Sequence, residues 1–117
     1  MLESVSEAQT VREIALSLPG AQEKPAWGQV TFRVTKGIFA SLSDDETSMG
    51  FRFPKDERTE MIAAEPRKFF VQPGHDDRYN WLRVHLAALD DDELRDIIVD
   101  SWRQLASKRL VAEYEAD

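Results

Sequence analysis

The sequence predicts a two-layer α+β fold, an antiparallel sheet of about five strands with N-terminal and C-terminal helices packed on one face. Three observations predict it. Apolar residues recur at helical spacing near both ends of the chain, they alternate with polar residues through the middle, and the middle segments follow one another without the crossover helices that parallel strands need. With 117 residues, 42% of them apolar and 32% charged, one domain spanning 1–117 is expected. A chain of that length buries roughly two-thirds of the surface it would expose unfolded.

The first helix is predicted to start at Ser6, where Ser6 and Gln9 have the spacing of a capping box. Ala8, Val11, Ala15 and Leu18, with Ile14 beside them, form its apolar face, Arg12 and Glu13 stay in water, and Pro19-Gly20 ends it. Glu23 to Trp27 adds a strand that Pro25 confines to an edge. Val30, Phe32 and Val34, then Ile38, Ala40 and Leu42, then Met49, Phe51 and Phe53 mark three half-buried strands of a meander. Lys36-Gly37 is the expected tight turn between the first two, because glycine tolerates positive φ, and Ser43 to Ser48 is a longer polar turn.

After Pro54, Asp56 and Thr59 are candidate caps of a short helix carrying Met61, Ile62 and Ala64, which Pro66 stops. Phe69 to Val71 and Trp81 to Leu86 make a second strand pair across a polar loop, Gln72 to Asn80. Asp90 and Glu93 form the second capping box, with Asp91 and Asp92 in a first turn where the helix dipole favours negative charge. Leu94, Ile97, Ile98, Ser101 and Leu105 trace that helix's buried stripe with Trp102 flanking it. Lys108 and Arg109 fall near its C-terminal end, and Leu110 to Asp117 is expected to fray.

Composition narrows the function classes. Without cysteine there are no disulfides, thiolate metal sites or cysteine nucleophiles, which fits a reducing, cytoplasmic compartment. The segment from Met1 to Thr10 lacks the basic start and apolar run of a signal peptide, and no apolar run approaches the roughly 20 residues that span a bilayer, so no membrane partner is expected. A formal charge of -7 opposes binding to phosphate backbones. The acid excess lies at the two ends, however, and the stretch from Lys24 to Arg83 is nearly neutral.

Several strings resemble the MmcQ/YjbR family: Ala15-Leu16-Ser17-Leu18-Pro19-Gly20, Trp27-Gly28, Phe32-Arg33-Val34 and Gly37-Ile38-Phe39-Ala40, followed by Phe69-Phe70 after Pro66, the Trp81 strand, and the helix with Leu94, Ile97, Trp102 and Lys108. The resemblance implies a fold similar to that of type III secretion chaperones and CyaY-like domains, often described as double-wing DNA-binding-like. It also implies DNA binding by analogy of shape, and it supplies no catalytic residues, metal ligands or cofactor. A protein-binding adaptor or chaperone-like module, monomeric or weakly dimeric, is the alternative that the same resemblance and the acidic charge suggest.

The candidate nucleic-acid-binding residues are Arg33, Lys36, Arg52, Arg78 and Arg83, with Trp27 and Trp81. Arg33 and Arg83 each lie in an alternating strand, a placement that puts guanidiniums of neighbouring strands on one sheet face, and Lys36 sits at a turn tip. The ordinary alternative is a solvated polar face over a core containing Phe32 and Phe39. Each tryptophan has the same two readings, core residue or, for Trp27 and Trp81, the wall of a groove. His75, Asp77 and His85 have the residue types of a zinc or iron site but match no closed spacing, and Asp90 to Glu93 lacks the spacing and glycine of a calcium loop. No strained nucleophile turn and no phosphate-cradling glycine pattern is present, so no catalytic residue is nominated.

Overall fold

In the computed structural model, which describes residues 6–26 and 28–116, the chain runs α1 (Ala8–Ser17), β1 (Gln22–Ala26), β2 (Gln29–Val34), β3 (Gly37–Leu42), β4 (Ser48–Arg52), α2 (Lys55–Ala64), β5 (Phe69–Phe70), β6 (Trp81–His85), α3 (Asp91–Leu105) and α4 (Lys108–Glu115). The strands form one antiparallel sheet of order β1-β2-β3-β4-β6-β5. This is the expected α+β class, with six strands in place of about five. Strand β1 carries Pro25, which has no N–H to donate, and it lies at the edge where β2 is its neighbour.

Alternation gives the sheet two faces, and register aligns each face from strand to strand. On one face Phe32, Ala40, Phe51 and Leu82 stand opposite one another across β2, β3, β4 and β6. Leu42, Met49, Val84 and Phe69 form the next row. All eight are buried. Helix α3 packs on β3 and β4 from this side, and α1 packs beside α3. Val11, Ile14 and Ala15 of α1 and Leu94, Ile98 and Trp102 of α3 complete the core. Trp102 is fully buried at its centre, not at the flank of the stripe, and its indole N–H donates to the Pro19 carbonyl at 3.1 Å. That bond satisfies the ring's single polar atom, so burying it carries no penalty.

A register shift interrupts the meander. Phe32 faces Ala40, but Arg33 faces Ile38, so Phe39 is an extra residue in β3. The bulge lies where Phe39 and Ala40, neighbours in sequence, both reach zero exposure. The β2–β3 turn also differs from expectation. Positive φ falls on Thr35 (58°), not on Gly37. Gly37 answers a different constraint, since a Cβ there would lie 2.6 Å from Leu105 Cδ1 of α3.

Three helix ends depart from their sequence signatures. The N-cap of α1 is Glu7, with no side-chain cap, and Ser6 instead donates its N–H to Leu89 O at 3.0 Å and its hydroxyl to Asp91 at 3.1 Å. Ser6, 3% exposed, thus pins the residues just before α1 to the start of α3. Pro54 occupies the N-cap of α2, so neither Asp56 nor Thr59 caps it. The expected frayed tail is α4, because Ser107 accepts the Leu110 N–H and starts a new helix, which places Lys108 and Arg109 in its first turn. Leu110, Val111 and Tyr114 of α4 pack against the core, and Tyr114 lies 5.4 Å from Trp102. The Asp90 cap of α3 is as expected, accepting the Glu93 N–H at 2.8 Å, while the Glu93 side chain turns to Lys68.

Candidate functional site

Neither α1 nor α3 packs on the second face of the sheet. Residues facing one another across all six strands there are Lys24, Thr31, Ser41, Gly50, Arg83 and Phe70. The adjoining row holds Gln22, Arg33 and Ile38, then Arg52 and Trp81. The small side chains Thr31, Ser41 and Gly50 therefore make a low floor between longer side chains, and that floor is itself buried at Thr31 and Gly50. Gly50 is required by the arrangement, because a Cβ at that position would collide with the Trp81 indole, whose Nε1, Cε2 and Cζ2 lie over it. A glycine inside a strand often marks such a close approach.

The charge of this face differs from that of the whole chain. Among the described strand residues the one acid is Glu23, which belongs to the helix face and pairs with Arg12 of α1 at 3.6 Å. The strand cations Lys24, Arg33, Arg52 and Arg83 all lie on the open face. Of these, only Arg83 has a carboxylate partner among the described residues. The Nε atoms of Arg33 and Arg52 are buried without a hydrogen-bond partner. Their stems lie against the sheet, and their guanidinium ends have no internal counter-charge. Strands β2 and β4 are two steps apart, so the two arginines bracket a strip about 10 Å wide.

Arg83 has a different fate. Its Nε and Nη2 donate to Asp76 Oδ2 and Oδ1 at 2.8 and 2.9 Å, a bidentate pair with a carboxylate that has no exposed surface. Asp76 also accepts the Gln72 N–H at 2.8 Å and lies 2.9 Å from His75 Nδ1. Burial pushes the Asp76 carboxyl upward, but the Arg83 bonds, the Gln72 N–H and His75 outweigh it and hold the pKa at about 2. Arg58 of α2 grips the same loop through the carbonyls of Asp76, Tyr79 and Trp81, at 3.1, 2.9 and 2.9 Å. Loop 72–80 is thus clamped onto the β6 end of the open face, with His75 and Tyr79 exposed on its outer side.

Of the residues nominated from sequence, the structure gathers Arg33, Arg52, Arg83 and Trp81 on one face. Lys36 stands exposed at the β2–β3 turn beyond Arg33. Arg78 is exposed on the loop, off the sheet. Trp27 lies outside the described residues. Sequence reasoning did not find Asp76 as the partner of Arg83, Gly50 as the seat of Trp81, or the stacking of Phe70 on His85 at 4.4 Å between centroids and 19° between planes. The interior glycine of β4 was the available signal for the second of these.

Among the described residues no three His, Asp or Glu side chains gather as metal ligands. Asp77 accepts the Gly74 N–H, and His75 and His85 serve Asp76 and Phe70. No described helix is long and apolar enough to cross a membrane.

Comparison with curated proteins finds no match. Among solved structures, the chain is similar to that of a Deinococcus radiodurans protein carrying a DUF419 domain, with a TM-score of 0.74 at 15% identity, over 96% of this chain and 91% of that one. At that identity the likeness speaks for the fold alone. The sequence itself matches the model of the YjbR family over residues 16–104, from the end of α1 through nearly all of α3, a span that includes the whole sheet and both of its faces. The chain therefore belongs to the YjbR family.

Proposed function

We propose that the open face of the sheet binds DNA and that the protein acts in the cytoplasm as a non-enzymatic binding module. The observation that carries this reading is the sorting of charge. In a chain of net charge -7, the described strands hold four cations on one face and no acid there, and Arg33 and Arg52 have no internal partner. Unpaired guanidiniums above a low floor match the charge and planar geometry of phosphates. The acids of α3 project from the opposite layer, so the local field at the open face departs from the sign of the whole protein.

Fluorescence anisotropy with a labelled oligonucleotide tests the proposal. Three phosphate contacts, at a slope of about -0.7 to -0.9 per contact, raise Kd roughly 20- to 40-fold between about 50 and 200 mM salt. Replacing Arg33 and Arg52 together by alanine is expected to weaken binding at least tenfold and to flatten that slope. Absence of binding at about 50 mM salt would refute the proposal.

A further inference from the structure

Cations without a carboxylate partner and rings gather in different halves of the open face. Lys24 and Arg33, with Lys36 at the adjoining turn, stand over β1, β2 and the start of β3. Trp81 over Gly50, the Phe70–His85 stack, and Tyr79 with His75 gather around β6 and its loop. Arg52 lies between the two groups, opposite Trp81. From β2 to β6 is three strand steps, about 14 Å. That is farther than the base and phosphate of one nucleotide reach, so engaging both halves takes a short chain of nucleotides.

The rings also discriminate between forms of DNA. In a duplex the bases are stacked and paired, and proteins read them by inserting a helix or a two-stranded ribbon into a groove. Here α1 and α3 pack on the other side of the sheet, so neither helix is presented from the open face. A sheet platform with accessible ring faces beside a cationic track is instead suited to unstacked bases, which it holds by stacking while the track follows the backbone. Tyr79 is 58% exposed, and His85 is exposed on the side that Phe70 does not cover.

We infer that the DNA bound by this face is single-stranded, with phosphates on Arg33, Arg52 and the flanking lysines and with bases stacked on His85 and Trp81. The inference rests on the DNA-binding reading above and specifies the form of its ligand. Three labelled probes of equal length distinguish the two: a twelve-nucleotide oligo(dT), the same strand paired with oligo(dA), and oligo(U). At about 50 mM salt, oligo(dT) is expected to bind at least tenfold more tightly than the duplex. His85→Ala is expected to weaken oligo(dT) binding about fivefold or more while leaving the duplex unchanged, since stacking is lost and the cationic track is kept. His85 is exposed, and an unchanged melting temperature verifies that the variant is folded.

Duplex binding equal to or tighter than oligo(dT), but weakened by alanine at Arg33 and Arg52, overturns the single-strand inference and leaves the DNA-binding reading standing. Unaltered oligo(dT) affinity in His85→Ala overturns the role of the rings. Oligo(U) bound tenfold more tightly than oligo(dT) overturns the assignment to DNA. No binding by any probe removes the DNA-binding reading itself.

Discussion

On the helix side of the sheet, the row Phe32, Ala40, Phe51, Leu82 is sealed under α1 and α3. On the other side, the row Lys24, Thr31, Ser41, Gly50, Arg83, Phe70 is shallow, cationic and uncovered by either helix. The same strands supply both, and adjacent residues belong to opposite sets. The acids follow this division as well. They lie on helices and loops and, in the strands, only at Glu23 on the helix side. The two faces thus separate tasks, since packing on one sets the stability and, the Arg83–Asp76 pair apart, side chains on the other can vary in charge at little cost to the fold. The contrast also shows why net charge is a poor guide to partners in a two-layer protein: it sums over surfaces that face in opposite directions.

Three variants sharpen or break this division. The largest effect is expected at Trp102, the centre of the sealed side. Trp102→Ala leaves a cavity beneath α4 and deprives the Pro19 carbonyl of its donor, costing about 3 to 5 kcal/mol in urea denaturation. A loss below about 1 kcal/mol would mean that the helix side does not carry the stability.

The intermediate case is Asp76, which lies on the open side but serves structure. Asp76→Asn leaves the Arg83 guanidinium, whose side chain is 14% exposed, without its counter-charge, and the expected cost is about 2 to 4 kcal/mol. Its folded pKa of about 2 lies below the ordinary 3.8. The carboxylate therefore contributes fully above pH ~4, and that contribution disappears as pH falls through about 2. Its size is about 2 kcal/mol at about 1.4 kcal/mol per pH unit. Denaturation curves across that window should flatten in Asp76→Asn by the same amount, and a variant whose acid dependence equals that of the wild type would remove Asp76 from the account.

The smallest effect on stability is expected at Arg33 and Arg52. Alanine at both is expected to cost about 1 kcal/mol or less, because only the packing of the two stems is lost and neither guanidinium has an internal partner, while the DNA affinity proposed above is expected to fall. A core-sized destabilisation there would erase the distinction between the faces.

What the sequence made legible follows from which signals are local. Alternation through Gln29 to Phe53 and Trp81 to Leu86 was enough to place Arg33 and Arg83 on one face, since period two needs no knowledge of distant partners. It was not enough to say that Arg83 is neutralised, because its partner Asp76 lies in a loop whose path is set by Arg58 from another helix. The capping signatures show the same limit. Asp90 capped its own helix, whereas Ser6, with equally good spacing, was drawn to Leu89 and Asp91 once α1 and α3 packed together. The tail from Leu110 is expected to fray when its sequence is taken alone, but Leu110, Val111 and Tyr114 are apolar. They become a helix only where Trp102 and the core give them something to cover.

Pairing between β3 and β4 stops at Ala40 and Phe51, and there the buried hydroxyl of Ser101 takes over, donating to Phe39 O at 2.6 Å and accepting the Arg52 N–H at 2.9 Å. The serine is a wedge in a half-closed zipper, holding two strands apart with a rung that neither backbone supplies. Gln104 fastens the Arg52 carbonyl one turn later at 3.2 Å. The backbone that carries the Arg52 guanidinium is therefore fixed from the far side of the sheet by a residue that no ligand can touch. Mutations that shift Arg52 on the exposed surface need not occur on that surface.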